Sequence, residues 1–177
     1  MERIGDIIKV MHIALKLREK TMSREITCCF TGHRELEYSY DRNDLKNAIE
    51  GLIDKGVRVF VAGGALGFDT EAALEVLRQR KKNKEIELHI YAPCKGQANR
   101  FPFREKALYN KILKHADYVD MPDSEYFDGC MKIRNYKMVD ASGYVIAYYS
   151  GEFRSGTGQT VRYAQKCGLE IINLYKE

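Results

Sequence analysis

The amino-acid sequence predicts an α/β fold in which a mostly parallel, doubly wound sheet lies between two layers of helices. Six short apolar runs alternate with segments of helical periodicity over about 150 residues. Residues 57–62, Val-Arg-Val-Phe-Val-Ala, are almost continuously apolar, which is typical of a strand covered on both faces of its sheet. No repeat or low-complexity linker interrupts the alternation. We therefore expect a single compact domain with an α/β/α arrangement.

The elements follow in a regular order. The predicted strands are residues 26–31, 57–62, 87–92, 118–121, 143–148 and 170–174. The first helix has the clearest apolar stripe, with the spacing i, i+3, i+4, i+7, i+8 at Leu45, Ala48, Ile49, Leu52 and Ile53, and it ends near Gly56. The other helices are predicted over residues 70–82, 103–115, 131–141 and 157–167.

Residues 1–24 are predicted to form a helical extension, and residues 25–177 the domain itself. One face of the extension is apolar, through Ile4, Ile7, Ile8, Met11 and Leu15. This helix either docks on the domain, pairs two copies into a homo-oligomer, or lies at a membrane surface. Met22 is an alternative start, which would make the first 21 residues optional. No apolar stretch approaches the roughly 18 residues that a membrane span needs.

Composition restricts the function further. The net charge of +4 is too small to indicate a nucleic-acid binder by itself. The cysteines, which lack metal-ligand spacing with the four histidines, are Cys28, Cys29, Cys94, Cys130 and Cys167. We expect a cytoplasmic protein with reduced thiols and no metal. The neighbours Cys28 and Cys29 should point to opposite faces of their strand.

Three glycine-containing turns follow the first, second and fifth predicted strands. The first turn holds Thr31, Gly32 and Arg34; the second holds Gly63, Gly64, Ala65, Gly67 and Asp69; the third holds Gly156, Thr157 and Thr160. Ligands of open parallel sheets bind at the edge where the carboxyl ends of the strands meet. Backbone N–H groups in such turns, together with helix N-termini, suit an anion. We therefore expect the turns to form one electropositive pocket for a phosphate group.

Each side chain at these turns has an expected role. Gly63, Gly64 and Gly67 would turn the chain tightly and let a ligand approach without a Cβ in the way. Asp69 either caps the helix predicted to begin at Thr70 or contacts the ligand. Because no nucleophile or base is evident, Asp69 and Glu71 are the only candidates for catalysis.

Cations and hydroxyl groups complete the predicted pocket. Arg34 could clamp a phosphate or form a surface salt bridge, and its place in the turn favours the ligand. Arg134 and Asn135 would add a second cation and an amide. Thr157 and Thr160 would bind phosphate oxygens or cap their helix.

Aromatic residues offer stacking surfaces for a base. Three candidates are Tyr126, Phe127 and Tyr149, although most aromatic side chains in such a domain belong to the core. The chain lacks the motif G-x-x-x-x-G-K-[ST], and residues 63–67 read G-G-x-x-G rather than G-x-G-x-x-G. Neither triphosphate hydrolysis nor a dinucleotide redox cofactor is therefore predicted.

Four segments resemble the YpsA-like family of the SLOG superfamily. They are residues 28–34 (CCFTGHR), 63–69 (GGALGFD), 130–135 (CMKIRN) and 156–161 (GTGQTV). The superfamily also includes the Smf/DprA DNA-processing proteins and the LOG phosphoribohydrolases. This resemblance covers residues 25–174 and implies a Rossmann-like fold whose glycine loops bind a nucleotide or a nucleotide-derived ligand. The chain departs from LOG enzymes at Thr160, where they carry a catalytic glutamate, and Ser155 replaces an expected glycine.

Three functions follow as hypotheses. The first is a binding or sensing module for a phosphorylated nucleotide derivative, such as an ADP-ribose-like molecule or a cyclic nucleotide, held by Arg34 and Arg134. The second is an N-glycosidic hydrolase in which Asp69 or Glu71 replaces the missing glutamate. The third is single-stranded DNA binding, which the Smf/DprA resemblance and a basic group suggest but the modest charge disfavours. That basic group is Arg78, Lys81, Lys82 and Lys84.

Overall fold

The computed structural model describes residues 23–176. Strands and helices alternate along this range. The strands are β1 (Thr27–Gly32), β2 (Val59–Ala62), β3 (Glu87–Tyr91), β4 (Tyr118–Asp120), β5 (Tyr144–Tyr148) and β6 (Glu170–Asn173). The helices between them are α1 (Arg42–Asp54), α2 (Phe68–Lys82), α3 (Phe103–His115), α4 (Cys130–Asp140) and α5 (Gly156–Lys166), and a 3₁₀ turn (Gln97–Arg100) precedes α3.

The strands form one six-stranded sheet in the order β4-β3-β2-β1-β5-β6. All neighbouring pairs are parallel. The chain starts at the centre with β1, adds β2, β3 and β4 on one side, and returns to place β5 and β6 on the other. The order therefore reverses between β1 and β5, which makes the fold doubly wound.

Two apolar layers hold the sheet between its helices. One layer packs α1, α2 and α3 on the sheet and includes Leu45, Phe68 and Ile112. The other packs α4 and α5 on the opposite face and includes Val139 and Ala164. The sequence-based prediction of an α/β/α Rossmann-like fold is thus confirmed, and the sheet is entirely parallel.

Cys28 and Cys29 illustrate how β1 serves both layers. Cys28 belongs to the first apolar layer and Cys29 to the second. Their side chains therefore face opposite sides of the sheet, as predicted from the strand period. The five cysteines are free thiols. Burial raises the pKa of Cys28 and raises that of Cys29 to about 12.

The predicted element boundaries are shifted by up to two residues. Helix α2 begins at Phe68 rather than Thr70, because Gly67 takes a positive φ of 79° and turns the chain directly into the helix. Strand β2 begins at Val59 rather than Val57, because the Val57 N–H donates to the Leu52 carbonyl, 3.0 Å away, at the end of α1.

The predicted helical extension covers residues 1–24, of which residues 1–22 lie outside the described residues, and the domain boundary at residue 25 stays a prediction. Among residues 23–176, no helix is both long enough and apolar enough to cross a membrane. Within the same range, no group of three or more His, Cys, Asp and Glu side chains is arranged to hold a metal ion.

Candidate functional site at the carboxyl edge of the sheet

The turns after β1, β2 and β5 lie side by side at the carboxyl edge of the sheet. The Phe68 N–H donates to the His33 carbonyl at 3.2 Å and joins the first two turns. The Ser150 N–H donates to His33 Nε2 at 3.1 Å and joins the first turn to the segment after β5. Asn135 Nδ2 donates to Thr160 Oγ1 at 3.0 Å and joins α4 to α5. The structure therefore brings the predicted turns together.

Asp69 organises the second turn, residues 63–67, which we call the glycine loop. Its Oδ2 accepts hydrogen bonds from the N–H groups of Gly63 at 3.1 Å and Ala65 at 3.3 Å. The prediction that Asp69 caps its helix is wrong, because α2 begins one residue before it and Gly67 is the N-cap. Asp69 is only 7% exposed. Burial raises the pKa of its carboxyl group, and the nearby Arg134 opposes that increase.

Arg134 lies on the other side of Gly63 and is also 7% exposed. Its Nη1 donates to the carbonyls of Gly63 and, at 3.1 Å, of Tyr91, so one side chain joins the ends of β2 and β3. Its Nε donates to Asn135 Oδ1 at 2.7 Å. Burial lowers the pKa of the guanidinium group, while Asp69 raises it. Arg134 is thus committed largely to the protein itself rather than extended into solvent as a free phosphate clamp.

The three glycines of the loop make room for protein groups rather than for a ligand, and a Cβ on Gly64 would lie 2.8 Å from Tyr109 Cε2. A Cβ on Gly63 would lie 2.0 Å from Arg134 Nη1, and one on Gly67 would lie 2.1 Å from the Arg34 carbonyl oxygen. The expectation that these three glycines leave space for a ligand is therefore wrong. They allow the buried guanidinium and the first turn to pack against the glycine loop.

The glycine loop still presents hydrogen-bond donors. The N–H groups of Leu66 and Gly67 have no acceptor among residues 23–176, and both residues are partly exposed, whereas Gly64 is buried. Arg34, in the adjoining turn, is exposed. At the third turn Ser155 caps α5, since its side chain accepts from the Gly158 N–H at 2.9 Å. Neither threonine takes that cap: Thr160 Oγ1 donates to the Gly156 carbonyl at 2.9 Å, and Thr157 is buried.

A crevice of about 310 Å³ lies where the strand order reverses, and we call it the switch-point crevice. Its lining residues are His33, Arg34, Glu35, Glu37, Tyr148, Ser150, Glu152 and Tyr175. The expectation of an electropositive pocket does not hold for this crevice, because three carboxylates line it together with Arg34 and His33. Sequence analysis did not single out Ser150, whose hydroxyl lies 3.0 Å from His33 Nε2. Its position directly after a strand that borders β1 is the signal that could have identified it.

A second, apolar cavity of about 180 Å³ lies beside α4, and we call it the α4 cavity. Phe127 is part of its wall. Of the other two stacking candidates, Tyr126 is 65% exposed, and Tyr149 packs against the His33 ring with 6.3 Å between centroids. Phe127 is therefore the aromatic candidate that the structure places at a cavity.

The two candidate catalytic carboxylates are both engaged. Asp69 binds the loop N–H groups, and Glu71 Oε2 lies 2.9 Å from Arg42 Nη2. The basic group suggested for DNA binding is partly neutralised. Arg78 pairs with Glu75 at 2.8 Å and Lys82 with Glu50 at 3.4 Å, towards the end of α2 that is remote from Gly67.

Known proteins resemble the chain in fold and in sequence. The solved structures that resemble the chain include DNA processing protein A from Helicobacter pylori, with a TM-score of 0.65 and 21% identity over 87% of this chain and 67% of that one. DprA from Streptococcus pneumoniae matches with a TM-score of 0.59 and 20% identity, over 82% and 48% of the two chains. Likeness at this level of identity shows the fold alone.

Curated relatives are similar in sequence. The SPbeta prophage-derived protein YoqJ of Bacillus subtilis strain 168 is 31% identical over 141 residues, which cover 72% of this chain and 82% of YoqJ. The UPF0398 protein BH1768 of Halalkalibacterium halodurans is 25% identical over 119 residues, which cover 66% of this chain and 63% of that protein. The model of the YspA SLOG family matches residues 24–171. The chain therefore belongs to the YspA SLOG family.

Proposed function

We propose that this protein binds a phosphorylated, nucleotide-derived ligand at the carboxyl edge of its sheet and acts as a binding or sensing module. The observation that carries the proposal is the set of donors at the start of α2. The N–H groups of Leu66 and Gly67 have no acceptor among the described residues, and Gly67 packs against the backbone of the exposed Arg34. Such donors at the N-terminus of a long helix favour a phosphate group.

The loop is prepared for a ligand by the protein itself. Asp69 fixes the N–H groups of Gly63 and Ala65, and Arg134 fixes the Gly63 carbonyl. The remaining donors therefore belong to a loop that is held by hydrogen bonds within the protein. A preorganised loop loses little conformational freedom on binding, which favours affinity.

The surroundings of the loop favour a nucleotide derivative over free phosphate. The switch-point crevice carries Glu35, Glu37 and Glu152, whose carboxylates can accept hydrogen bonds from the hydroxyl groups of a second sugar beyond the phosphate, as in ADP-ribose. Binding is favoured over glycosidic hydrolysis because Asp69 and Glu71 both have other partners. A general base must also reach the attacking water, and Asp69, at 7% exposure, is turned towards the N–H groups of the loop.

Isothermal titration tests the proposal with AMP, ADP-ribose and 3′,5′-cyclic AMP. We expect at least one of them to bind in the micromolar range, and Arg34→Ala to weaken it about tenfold or more through loss of a charge-assisted hydrogen bond. Lys81→Ala is the matched control, since it removes one positive charge from the opposite end of α2. Affinities no better than millimolar for all three, or equal effects of the two substitutions, would refute the proposal.

Single-stranded DNA is the second candidate ligand. It is supported by the likeness in fold to DNA processing protein A, whose Helicobacter pylori structure is described by its single-stranded DNA binding mode. Binding of an oligonucleotide should then weaken steeply as salt rises, because released counterions contribute to affinity. No detectable binding at low ionic strength would eliminate this candidate.

A further inference from the structure

The α4 cavity is bordered by the ends of two strands and by one face of α4. Its lining residues are Ala92, Pro93, Asp120, Pro122, Ser124, Phe127, Cys130, Ile133, Arg134 and Lys137. The two charged groups at its rim neutralise each other, since Lys137 Nζ donates to Asp120 Oδ2. The surface that faces the cavity is therefore almost entirely apolar.

Size limits what this cavity can hold. Pockets for whole drug-sized ligands occupy about 300–1,000 Å³, whereas this cavity has a volume of about 180 Å³. Only one end of a nucleotide-sized molecule fits inside. Phe127 is 45% exposed and Ile133 is 60% exposed. Both therefore have apolar surface that a flat group could cover.

Arg134 connects the cavity to the glycine loop. Its side chain lines the cavity, and its Nη1 donates to the carbonyl of Gly63 within that loop. The cavity and the glycine loop therefore share the Arg134 side chain as a common wall.

We infer that the α4 cavity is the subsite for the nucleobase of the ligand. This inference rests on the proposed function, because it assigns one end of the molecule whose phosphate binds the glycine loop. A planar base would pack between Phe127 and Ile133, with its polar edge turned towards solvent. The apolar lining selects a flat ring by packing, and base–aromatic stacking tolerates every base because each has a π-face.

Two ligands that differ only by the base test the inference. AMP and ribose 5-phosphate share the sugar and the phosphate, and AMP adds adenine. We expect isothermal titration to show AMP binding the wild-type protein about tenfold or more tightly. Phe127→Ala and Ile133→Ala should remove most of that difference and leave the affinity for ribose 5-phosphate unchanged. Phe153→Ala is the matched control, because Phe153 is 67% exposed and packs on Arg162, away from the cavity lining.

The outcomes separate the subsite from the proposed function. If AMP and ribose 5-phosphate bind equally well, the phosphate site stands and the base subsite is refuted. The subsite is also refuted if Phe127→Ala and Ile133→Ala weaken the binding of AMP and of ribose 5-phosphate by the same factor. It is refuted as well if Phe153→Ala weakens AMP binding as much as those two substitutions do. If AMP and ribose 5-phosphate do not bind, and ADP-ribose and 3′,5′-cyclic AMP do not bind either, the proposed function and the subsite are both refuted. Circular dichroism of both variants checks that the fold is retained.

Discussion

Substitution of Gly63 by alanine tests how the buried guanidinium supports the glycine loop. The new Cβ would lie 2.0 Å from Arg134 Nη1 and 2.3 Å from Arg134 Cζ. Gly63 does not have a positive φ, so alanine adds no backbone strain there. Most of the cost therefore comes from displacing Arg134 from the carbonyls of Gly63 and Tyr91, and a smaller part comes from Asp69 Oδ2, 2.8 Å from the new Cβ.

The size of the effect follows from these contacts. Overpacking costs about 1–3 kcal/mol, and a hydrogen bond to a charged group contributes about 1.5–3 kcal/mol. We expect Gly63→Ala to lower the free energy of unfolding by about 3 kcal/mol, which corresponds to a fall in Tm of about 6–12 °C for a chain of this length. Gly51→Ala is the control: Gly51 lies within α1, nothing lies within 4 Å of its added Cβ, and alanine favours helix.

A double-mutant cycle decides whether the loss comes from Arg134. Arg134→Ala alone should also destabilise the protein, because it removes the same hydrogen bonds. In the double variant the alanine at position 63 meets only Asp69 Oδ2, so the stability of that variant should be closer to that of Arg134→Ala than two independent losses would give. Urea unfolding followed by circular dichroism gives all four free energies, and we expect a coupling of about 2 kcal/mol or more. Additive losses would refute the reasoning, since they would mean that Gly63 is needed for another reason.

Two further predictions concern ionisation. Burial raises the pKa of Asp69 in the folded protein. The contribution of Asp69 to the free energy of unfolding is therefore greatest below the pKa of the unfolded carboxyl group, and it is lost as pH rises through the folded pKa. Urea unfolding from pH 4 to pH 7 should therefore show Asp69→Asn gaining stability relative to wild type as pH rises; a constant difference would contradict this. Burial also raises the pKa of Cys28 and Cys29, so iodoacetamide at pH 8 should label the half-buried Cys167 first, and mass spectrometry should find Cys28 and Cys29 labelled only in urea. Equal labelling rates in the folded protein would exclude their burial.

Most of the fold could be predicted because period and length distinguish strands from helices. Residues 57–62 and 143–148 are short and apolar, and the i, i+3, i+4 stripe from Leu45 to Ile53 is typical of a helix. These patterns arise because one or both faces of each element are buried, and the spacing of apolar residues along the element shows which faces those are. The starts of β2 at Val59 and of α2 at Phe68 depend instead on backbone geometry that residue types do not show. They are set by the hydrogen bond from the Val57 N–H to the Leu52 carbonyl and by the positive φ of Gly67.

The site was harder to predict because its contacts join residues that are far apart in the chain. Arg134 binds a carbonyl 71 positions earlier, and no local pattern gives that partner. A signal for its burial was nevertheless present. Cys130, Arg134 and Met138 follow at i, i+4 and i+8, and all three are buried on α4. A charged residue inside an apolar stripe indicates a buried ion with a structural task.

Roles within the glycine loop could not be assigned from residue type. Asp69 was expected at a helix cap or on a ligand, and it binds the loop's own N–H groups instead. The acidic character of the switch-point crevice also escaped prediction, because the glutamates come from two segments after different strands. Sequence alone does not show which of these side chains share a surface.

The internal carboxylate of Asp69 has a consequence for the rate of recognition. Its Oδ2 accepts hydrogen bonds from two N–H groups of the loop, so bonds within the protein define the shape of the loop. We expect a ligand to bind these donors without a slow rearrangement of the backbone. Association at this edge should therefore be a single concentration-dependent step, with no later isomerisation in the stopped-flow trace.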